Sequence, residues 1–354
     1  MIIFPIDKDT TILIILYSVS SIFLYLCAIT DNFMDAPKRN IELLCPARDY
    51  RAAIAAIDCG ADALYIGAAG FGARRAATNT TEDIARVVDY AHLFGVKVFV
   101  TLNTILYESE LAEAERLARE LIAVGVDALI VQDMAYFEMN LPIPLHASTQ
   151  MYNMAPDTSR FLEECGFERV ILERALSLDE IRAIREATTV DLECFVHGAI
   201  CVGHSGRCYL SRSQSSRSGN RGECSQPCRL TYDLVTERGE TLIKGKHLLS
   251  VKDFDLSERI GDLIDAGIMS FKIEGRLKDD NYIKNVVSHY RRAIDRALAT
   301  RPDCRRASVG RSEIEFTPDP KKSFSRDGGE YMFMGKRAGV ASWLTPKAVG
   351  EYVG

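Results

Sequence analysis

Short apolar runs alternate with amphipathic stretches along most of the chain from residue 41 onward. Most of these runs are rich in Val, Ile, Leu and Phe and too short for helices, which is typical of buried parallel strands. Eight such runs cover residues 41–47, 61–68, 96–103, 126–133, 144–149, 167–174, 190–198 and 269–275. Helical spacing of apolar residues between them predicts helices within 49–60, 81–95, 108–125 and 177–188.

The junctions between these elements follow the same order. A glycine stands just before five of the strands, where it can stop the preceding helix (Gly60, Gly95, Gly125, Gly166 and Gly267). Ser177 and Glu180 form a capping box before an apolar run. Eight strands alternating with helices over about 250 residues predict an α/β fold, a TIM-like (β/α)8 barrel. An open doubly wound sheet is the alternative, but no glycine-rich phosphate loop follows the first strand.

The two ends of the chain stand apart from this pattern. Residues 1–33 form a hydrophobic extension, and residues 10–30 are uncharged and about long enough to span a bilayer. We interpret the extension as sequence upstream of a true start at Met34, with a membrane anchor or a signal sequence as alternatives. Residues 34–298 are assigned to the barrel. Residues 299–354 are expected to begin a small β-rich region that is cut short.

Composition adds little until the cysteines are considered. The chain has 354 residues, 47% hydrophobic and 26% charged, as a globular protein would have. Its net charge of −6 gives no general tendency to bind nucleic acid, although a local basic patch is still possible. Four of its ten cysteines fall between Cys201 and Cys228. This clustering indicates a metal or redox site in a reducing compartment and not a secreted disulfide scaffold.

Polar residues collect where the predicted strands end. In a barrel, these carboxyl ends surround the active site, so residues from six strands are expected to converge there. The acid–base candidates are His197, Glu173 and Lys272. The substrate-binding candidates at the strand ends are Asn103, Gln150, Arg174, Glu274 and Arg276. The alternative is that some of these side chains only cap helices.

A cysteine-rich insert of residues 199–229 interrupts the repeat before the last strand. Its four cysteines are spaced C-x6-C-x15-C-x3-C, and glycine and serine leave little room for regular structure. Four thiolates on a metal centre would order such a loop. The spacing lacks the C-x2-C pairs usual at zinc sites and suits a [4Fe–4S] cluster better. Zinc, free thiols and disulfides are the alternatives.

The insert is also basic within an acidic protein. Its single acid is Glu223. It carries five arginines: Arg207, Arg212, Arg217, Arg221 and Arg229. Guanidinium groups bind phosphates and carboxylates well, which makes Arg217 and Arg221 candidates for binding substrate. They could equally offset the negative charge of a thiolate-bound cluster.

Several segments resemble the peptidase U-32 family, the collagenase-like peptidases. They are residues 42–67, HASTQM (146–151), FVHGAICVGHSGRCYLS (195–211), NRGECSQPCR (220–229) and SFKIEGRLKDDNYIKNVVSHYRRAID (270–295). The resemblance implies a barrel with a cysteine-bound [4Fe–4S] cluster at its mouth. It also implies activities known in the family: hydroxylation of a base in rRNA or tRNA with prephenate as co-substrate, ubiquinone synthesis, or proteolysis.

The resemblance assigns the cluster ligands residue by residue. Cys201, Cys208 and Cys224 match the regular positions of the family. The fourth ligand has two candidates, because some relatives use a C-x3-C pair, here ending at Cys228, and others use a cysteine shortly after a K-D dipeptide. That dipeptide is Lys252–Asp253, and it is followed by Phe254 and Asp255. Cys228 is chosen here.

The expected function is therefore cytoplasmic, cluster-dependent hydroxylation of RNA, with an electron-donor protein as a candidate partner. No HExxH, GxSxG or evident Ser/His/Asp arrangement supports the alternative of proteolysis. A non-catalytic, cluster-bearing scaffold is the third possibility.

Overall fold

The computed structural model describes residues 2–7, 10–14, 38–73, 79–276 and 278–335. Near the start of the chain, Ile2–Asp7 and Thr10–Ile14 pair as an antiparallel hairpin. Residues 15–37 lie outside the described residues. They include most of the hydrophobic segment 10–30 and the expected start at Met34. No helix in the described part of the chain has the length and apolar character needed to cross a membrane.

Eight parallel strands and the helices between them make up the body of the protein. The strands are β1 (Arg39–Ala47), β2 (Ala63–Gly67), β3 (Lys97–Leu102), β4 (Ala128–Val131), β5 (Leu145–Ala147), β6 (Arg169–Ile171), β7 (Asp191–Gly198) and β8 (Ser270–Ile273). The main helices are α1 (Tyr50–Asp58), α2 (Thr81–His92), α3 (Leu111–Ala123), α4 (Ala135–Glu138), α5 (Pro156–Glu164), α6 (Leu178–Ala187), α7 (Ile260–Asp265) and α8 (Asp280–Leu298).

The sheet closes on itself. Each strand from β1 to β8 pairs in parallel with the next, and β8 also pairs with β1, where Ser270 lies opposite Glu42. All eight predicted strands are present, so the (β/α)8 barrel is confirmed and the open sheet is excluded. Parallel strands close into a barrel when helices cover the outside, since both faces of each strand are then buried.

Local sequence signals place the helices against this wall. Asp49 begins α1 by accepting a hydrogen bond from Ala52 N at 3.0 Å. The predicted capping box of Ser177 and Glu180 is present at the start of α6. All five glycines predicted to end helices have positive φ, the conformation that an L-residue with a side chain adopts only with strain.

The insert after β7 leaves the barrel and returns to it. It contains a short helix (Leu210–Gln214) and an antiparallel hairpin (Tyr232–Val235 with Thr241–Lys246). The segment Phe254–Asp255 then pairs antiparallel with the end of β7. Beyond α8, Cys304–Arg306 pairs in parallel with the start of β1, and it is the single strand in the described residues 299–335.

Candidate active site at the barrel mouth

Lys272 is the cation at the centre of the barrel interior. Its ammonium lies 2.7 Å from the Glu193 carboxylate, which is completely buried. The same nitrogen is 4.4 Å from the centre of the Tyr65 ring and 5.3 Å from that of Phe195. Burial lowers the pKa of Lys272, and the negative charge of Glu193 opposes that effect. The predicted acid–base residue therefore lies inside the barrel, held by a carboxylate and flanked by two aromatic rings.

Two arginines lie above this lysine at the mouth. The Arg174 guanidinium stacks 3.6 Å from the Phe195 ring centre and pairs with Glu274 at 2.9 Å. Arg276 donates to Thr101 Oγ1 at 2.6 Å and lies over the ring of Tyr65 at 5.6 Å. We call Arg174, Lys272, Glu274 and Arg276 the mouth cluster. It presents three cations and one acid over aromatic rings, an arrangement suited to a small molecule with carboxylates.

Two other predicted site residues, Asn103 and Gln150, have structural contacts at the same end of the barrel. Asn103 accepts from Ala73 N at 2.9 Å and donates to Ser148 Oγ at 2.9 Å. The Gln150 carbonyl accepts from Gln132 Nε2 at 3.1 Å. These contacts fix the loops after β3, β4 and β5 around the mouth.

Glu173 joins the insert to the barrel. One carboxylate oxygen accepts from Ser205 N at 2.7 Å, and the other accepts from Arg174 N at 3.0 Å. A carboxylate engaged by two backbone N–H groups is well placed to anchor a loop. Glu173 was predicted as an acid–base candidate, and the structure gives it this anchoring contact beside the mouth cluster.

The structure separates His197 from Lys272. The imidazole of His197 faces helix α8, with its ring 5.4 Å from that of Tyr290 and 6.1 Å from that of Tyr282. Burial lowers its pKa to about 4, although the charges of Asp255 and Asp253 act in the opposite direction. This differs from the expectation that His197 shares the mouth with Lys272.

A β-bulge explains the difference. Strict alternation along β7 would point Glu193, Phe195 and His197 into the barrel. Instead, Lys272 pairs with Phe195 and the next residue, Ile273, pairs with His197. The extra residue of β7 turns the following side chain to the other face of the sheet.

The four cysteines of the insert lie near one another. An added Cβ atom at Gly203 would be 3.5 Å from Cys208 Sγ and 4.0 Å from Cys201 Sγ. Cys224 Sγ accepts from Gln226 N at 3.4 Å. Burial raises the pKa of Cys228, and the nearby thiols of Cys201, Cys224 and Cys208 raise it further, whereas Arg229 lowers it. The Cys228 thiol therefore lies close enough to the other three cysteines for their charges to act on it.

The alternative fourth ligand, Asp255, has other partners. Its carboxylate accepts from Ser257 Oγ at 2.8 Å and from Tyr290 OH at 3.1 Å. In the described residues, no three His, Cys, Asp or Glu side chains are close enough together to hold a single metal ion. A [4Fe–4S] cluster needs a wider arrangement, because four thiolates each bind a different iron. Four thiolates are the donor set that such a cluster takes.

The arginines of the insert fall into two groups. Arg229 is half-buried and donates to Ser250 Oγ and to the carbonyls of Val251 and Ile200. Arg221 pairs with Glu110 and lies 4.5 Å from the ring centre of Tyr107. Both arginines hold the insert in place.

The other three arginines are exposed. Arg217 donates to the backbone carbonyl of Glu223 at 3.0 Å, and Arg212 to that of Ser216 at 2.9 Å. Arg207 stacks on Tyr152 at 4.2 Å. We call Arg207, Arg212, Arg217 and the exposed Tyr209 the basic face of the insert. Tyr152 and Tyr209 were not predicted as site residues from the sequence, because the residues around them come from distant segments of the chain.

Comparisons with known proteins identify relatives of this chain. The family model described as peptidase family U32 matches residues 48–342. The chain is 49% identical to the 23S rRNA 5-hydroxycytidine C2501 synthase of Escherichia coli (strain K12). The match extends over 322 residues, which are 91% of this chain and 49% of that protein.

Two further relatives carry different descriptions. The tRNA hydroxylation protein P1 of Bacillus subtilis (strain 168) is 37% identical, over 72% of this chain and 63% of its own length. The collagenase of Porphyromonas gingivalis (strain ATCC BAA-308 / W83) is 32% identical, over 72% of this chain and 66% of its own. The chain thus spans about half the length of the rRNA synthase and about two thirds of the other two.

Proposed function

The chain belongs to peptidase family U32, and on that premise we propose that it hydroxylates a base in ribosomal or transfer RNA. The observation that carries the proposal is the position of the insert. Glu173 ties Ser205 of the insert to the barrel mouth beside Arg174, and Arg207 of the basic face stacks on Tyr152 after β5. The relatives described as RNA hydroxylation proteins support the same chemistry.

The cofactor in this proposal is a [4Fe–4S] cluster held by Cys201, Cys208, Cys224 and Cys228. A cluster bound there would supply electron transfer or activation of an oxygen donor. The backbone N–H group of Gln226 donates to the sulfur of Cys224 at 3.4 Å, as is common around bound thiolates. An electron-donor protein would then dock near the insert.

The mouth cluster is proposed to bind a small co-substrate that carries carboxylates. Prephenate is the candidate that the family resemblance implies. The guanidinium groups of Arg174 and Arg276, which lie over the aromatic rings of Phe195 and Tyr65, are the proposed partners of those carboxylates. Lys272, which is held by Glu193 just below, would add a positive charge that helps to balance the carboxylates of such a ligand.

RNA is proposed to lie on the basic face of the insert. Arginine planes and tyrosine rings stack on unpaired bases, and single-stranded RNA is recognised largely in this way. The target base would have to leave its stack to reach the mouth. A cytoplasmic location is part of the same proposal.

Nucleoside analysis tests the reaction. Deletion of the gene in its own host should remove one hydroxylated nucleoside from digested rRNA or tRNA, as measured by mass spectrometry. A plasmid copy of the wild type or of the Cys59→Ala variant should restore it, and a Cys208→Ala copy should not. An unchanged nucleoside profile in the deletion strain would overturn the proposal.

Anaerobic purification tests the cofactor separately. Iron and sulfide analysis should give about four of each per chain for a cluster of this type, and the iron should be lost in Cys208→Ala. Zinc in place of iron would support the metal alternative. Peptide cleavage by the protein without iron would favour the collagenase-like alternative, and a sealed cluster with no RNA phenotype would favour the scaffold.

A further inference from the structure

A polar cavity lies at the opposite end of the barrel from the cysteine insert. Its volume is about 290 Å³, which is near the lower end of the range for small-molecule sites. The residues that line it come from the starts of β1, β3, β6 and β7. Among them are Lys38, Glu42, Lys97, Arg169 and Asp191. The amino ends of the strands meet here, away from the mouth cluster.

All three acids of this cavity already have partners, and Asp191 lies 3.8 Å from Arg169. Glu42 is buried and accepts from Arg169 at 2.6 Å and from Ser270 Oγ at 2.7 Å. Asp62 pairs with Arg291 at 2.8 Å and with Arg306 at 2.6 Å. The carboxylates of Glu42 and Asp62 are therefore already neutralised by protein cations and do not favour a bound metal cation.

The cations are less fully matched. Lys38 and Lys97 have no ion-pair partner among the residues that the structure describes. Arg169 is more than nine-tenths buried, yet its Nε has no hydrogen-bond partner in the same set. A buried donor without an acceptor carries a free-energy cost that a ligand oxygen can remove.

The surroundings carry the same excess of positive charge. His146 lies just inside this end of the barrel, with its ring 4.8 Å from that of Phe99. Its pKa is well below the ordinary value, first because of burial and then because Arg169, Lys272 and Lys97 repel its protonated form. This local field favours an anion over a cation.

We propose that this cavity binds a small organic anion, a phosphate or carboxylate compound, through Lys97, Lys38 and the Nε of Arg169. The binding site is separate from the mouth and does not depend on the proposed RNA chemistry. Arg169 also contacts Glu193 at 3.2 Å, and Glu193 holds Lys272. Arg169 is therefore two contacts away from Lys272 of the mouth cluster.

Titration calorimetry of the full chain tests the site with two probes, inorganic phosphate and malonate, at matched ionic strength. We expect saturable binding of at least one probe. Lys97→Met should weaken it roughly tenfold, because a charge-assisted hydrogen bond is lost. Lys244→Met, which removes an exposed lysine of the insert hairpin, is the matched control and should bind as the wild type does.

The variants also separate this site from the mouth. Arg276→Gln should leave the Lys97-dependent binding unchanged, and Lys38→Met should weaken it. Binding of phosphate alone would identify a phosphorylated ligand, and binding of malonate alone a dicarboxylate. The proposal is overturned if neither probe saturates, or if Lys97→Met and Lys244→Met bind with the same affinity.

Discussion

Asp62 shows how much of the stability of the barrel depends on single buried charges. Its carboxylate is almost fully buried and accepts from Leu43 N at 2.9 Å and from Ser308 Oγ at 2.7 Å. It also pairs with Arg291 of α8 and with Arg306 of the last strand. One side chain thus joins β1, the last long helix and the segment that follows it.

We expect Asp62→Asn to lower the free energy of unfolding by about 3 kcal/mol, because loss of one partner leaves a buried charge unmatched. The control is Asp157→Asn, whose side chain is 94% exposed and pairs with Arg160 at 3.6 Å. That change should cost less than about 1 kcal/mol. Urea unfolding followed by circular dichroism measures both, and equal losses in the two variants would contradict this interpretation.

His197 makes stability depend on pH. Its pKa is lowered to about 4 in the folded protein by burial, whereas an unfolded histidine titrates near 6.5. Between these values the unfolded chain takes up a proton that the folded chain refuses, so stability falls as the pH decreases from about 6.5 towards 4. Above the unfolded pKa of about 6.5, His197 is neutral in both the folded and the unfolded chain, and its burial then costs no stability through protonation.

The His197→Phe variant should therefore lose less stability than the wild type when the pH is lowered from 7 to 5, by about 2 kcal/mol. The comparison uses the difference between the two pH values within each protein, so that any constant cost of the new side chain cancels. His204→Gln, at an exposed site, should follow the wild-type curve. Parallel curves for His197→Phe and the wild type would show that His197 is not the group responsible.

At the scale of elements, the insert is fixed to the barrel by close backbone approach. Gly206 has φ of +72°, and an added Cβ atom would lie 1.9 Å from the carbonyl oxygen of Gln150. Nearby, Arg207 stacks on Tyr152. Glycine is required at this position both for its conformation and for the space.

We expect Gly206→Ala to detach the insert while leaving the barrel folded. Trypsin should then cut among the arginines of residues 207–229 at least several times faster than in the wild type, because an undocked loop is open to the protease. Gly239→Ala is a matched control, since Gly239 also has positive φ, at +86°, but no atom lies within 4 Å of an added Cβ. Equal digestion rates for both variants would mean that this contact does not hold the insert.

The elements were more predictable than the contacts between them. Periodicity located all eight strands because strand length and helix spacing are local properties. The cysteine spacing predicted a site in the insert, and the structure brings these cysteines near one another. The bulge that turns His197 outward depends on its pairing with Ile273, which is 76 positions away and gives no local signal. The same holds for the anchoring of Ser205 by Glu173, a contact between residues that are distant along the chain.

For the molecule as a whole, the charge distribution limits how RNA could bind. The net charge is −6, so long-range attraction for a polyanion is weak, and any contact has to come from a local concentration of cations. The basic face provides it with Arg207, Arg212 and Arg217, all exposed. Arg221 and Arg229 contribute less, because protein acceptors already hold them.

Salt dependence of RNA binding tests this distribution. Each phosphate contact to a single strand contributes about 0.7 to the slope of log affinity against log salt concentration. A double variant Arg207→Gln, Arg212→Gln should therefore bind a single-stranded RNA more weakly at low salt and with a slope smaller by about 1.4. Arg182→Gln is the control, because it removes an exposed arginine of α6 that pairs only locally with Asp179 at 3.0 Å. Filter-binding titrations from low to moderate salt measure both variants. If Arg182→Gln changed the slope as much as the double variant did, general charge and not the basic face would govern RNA binding.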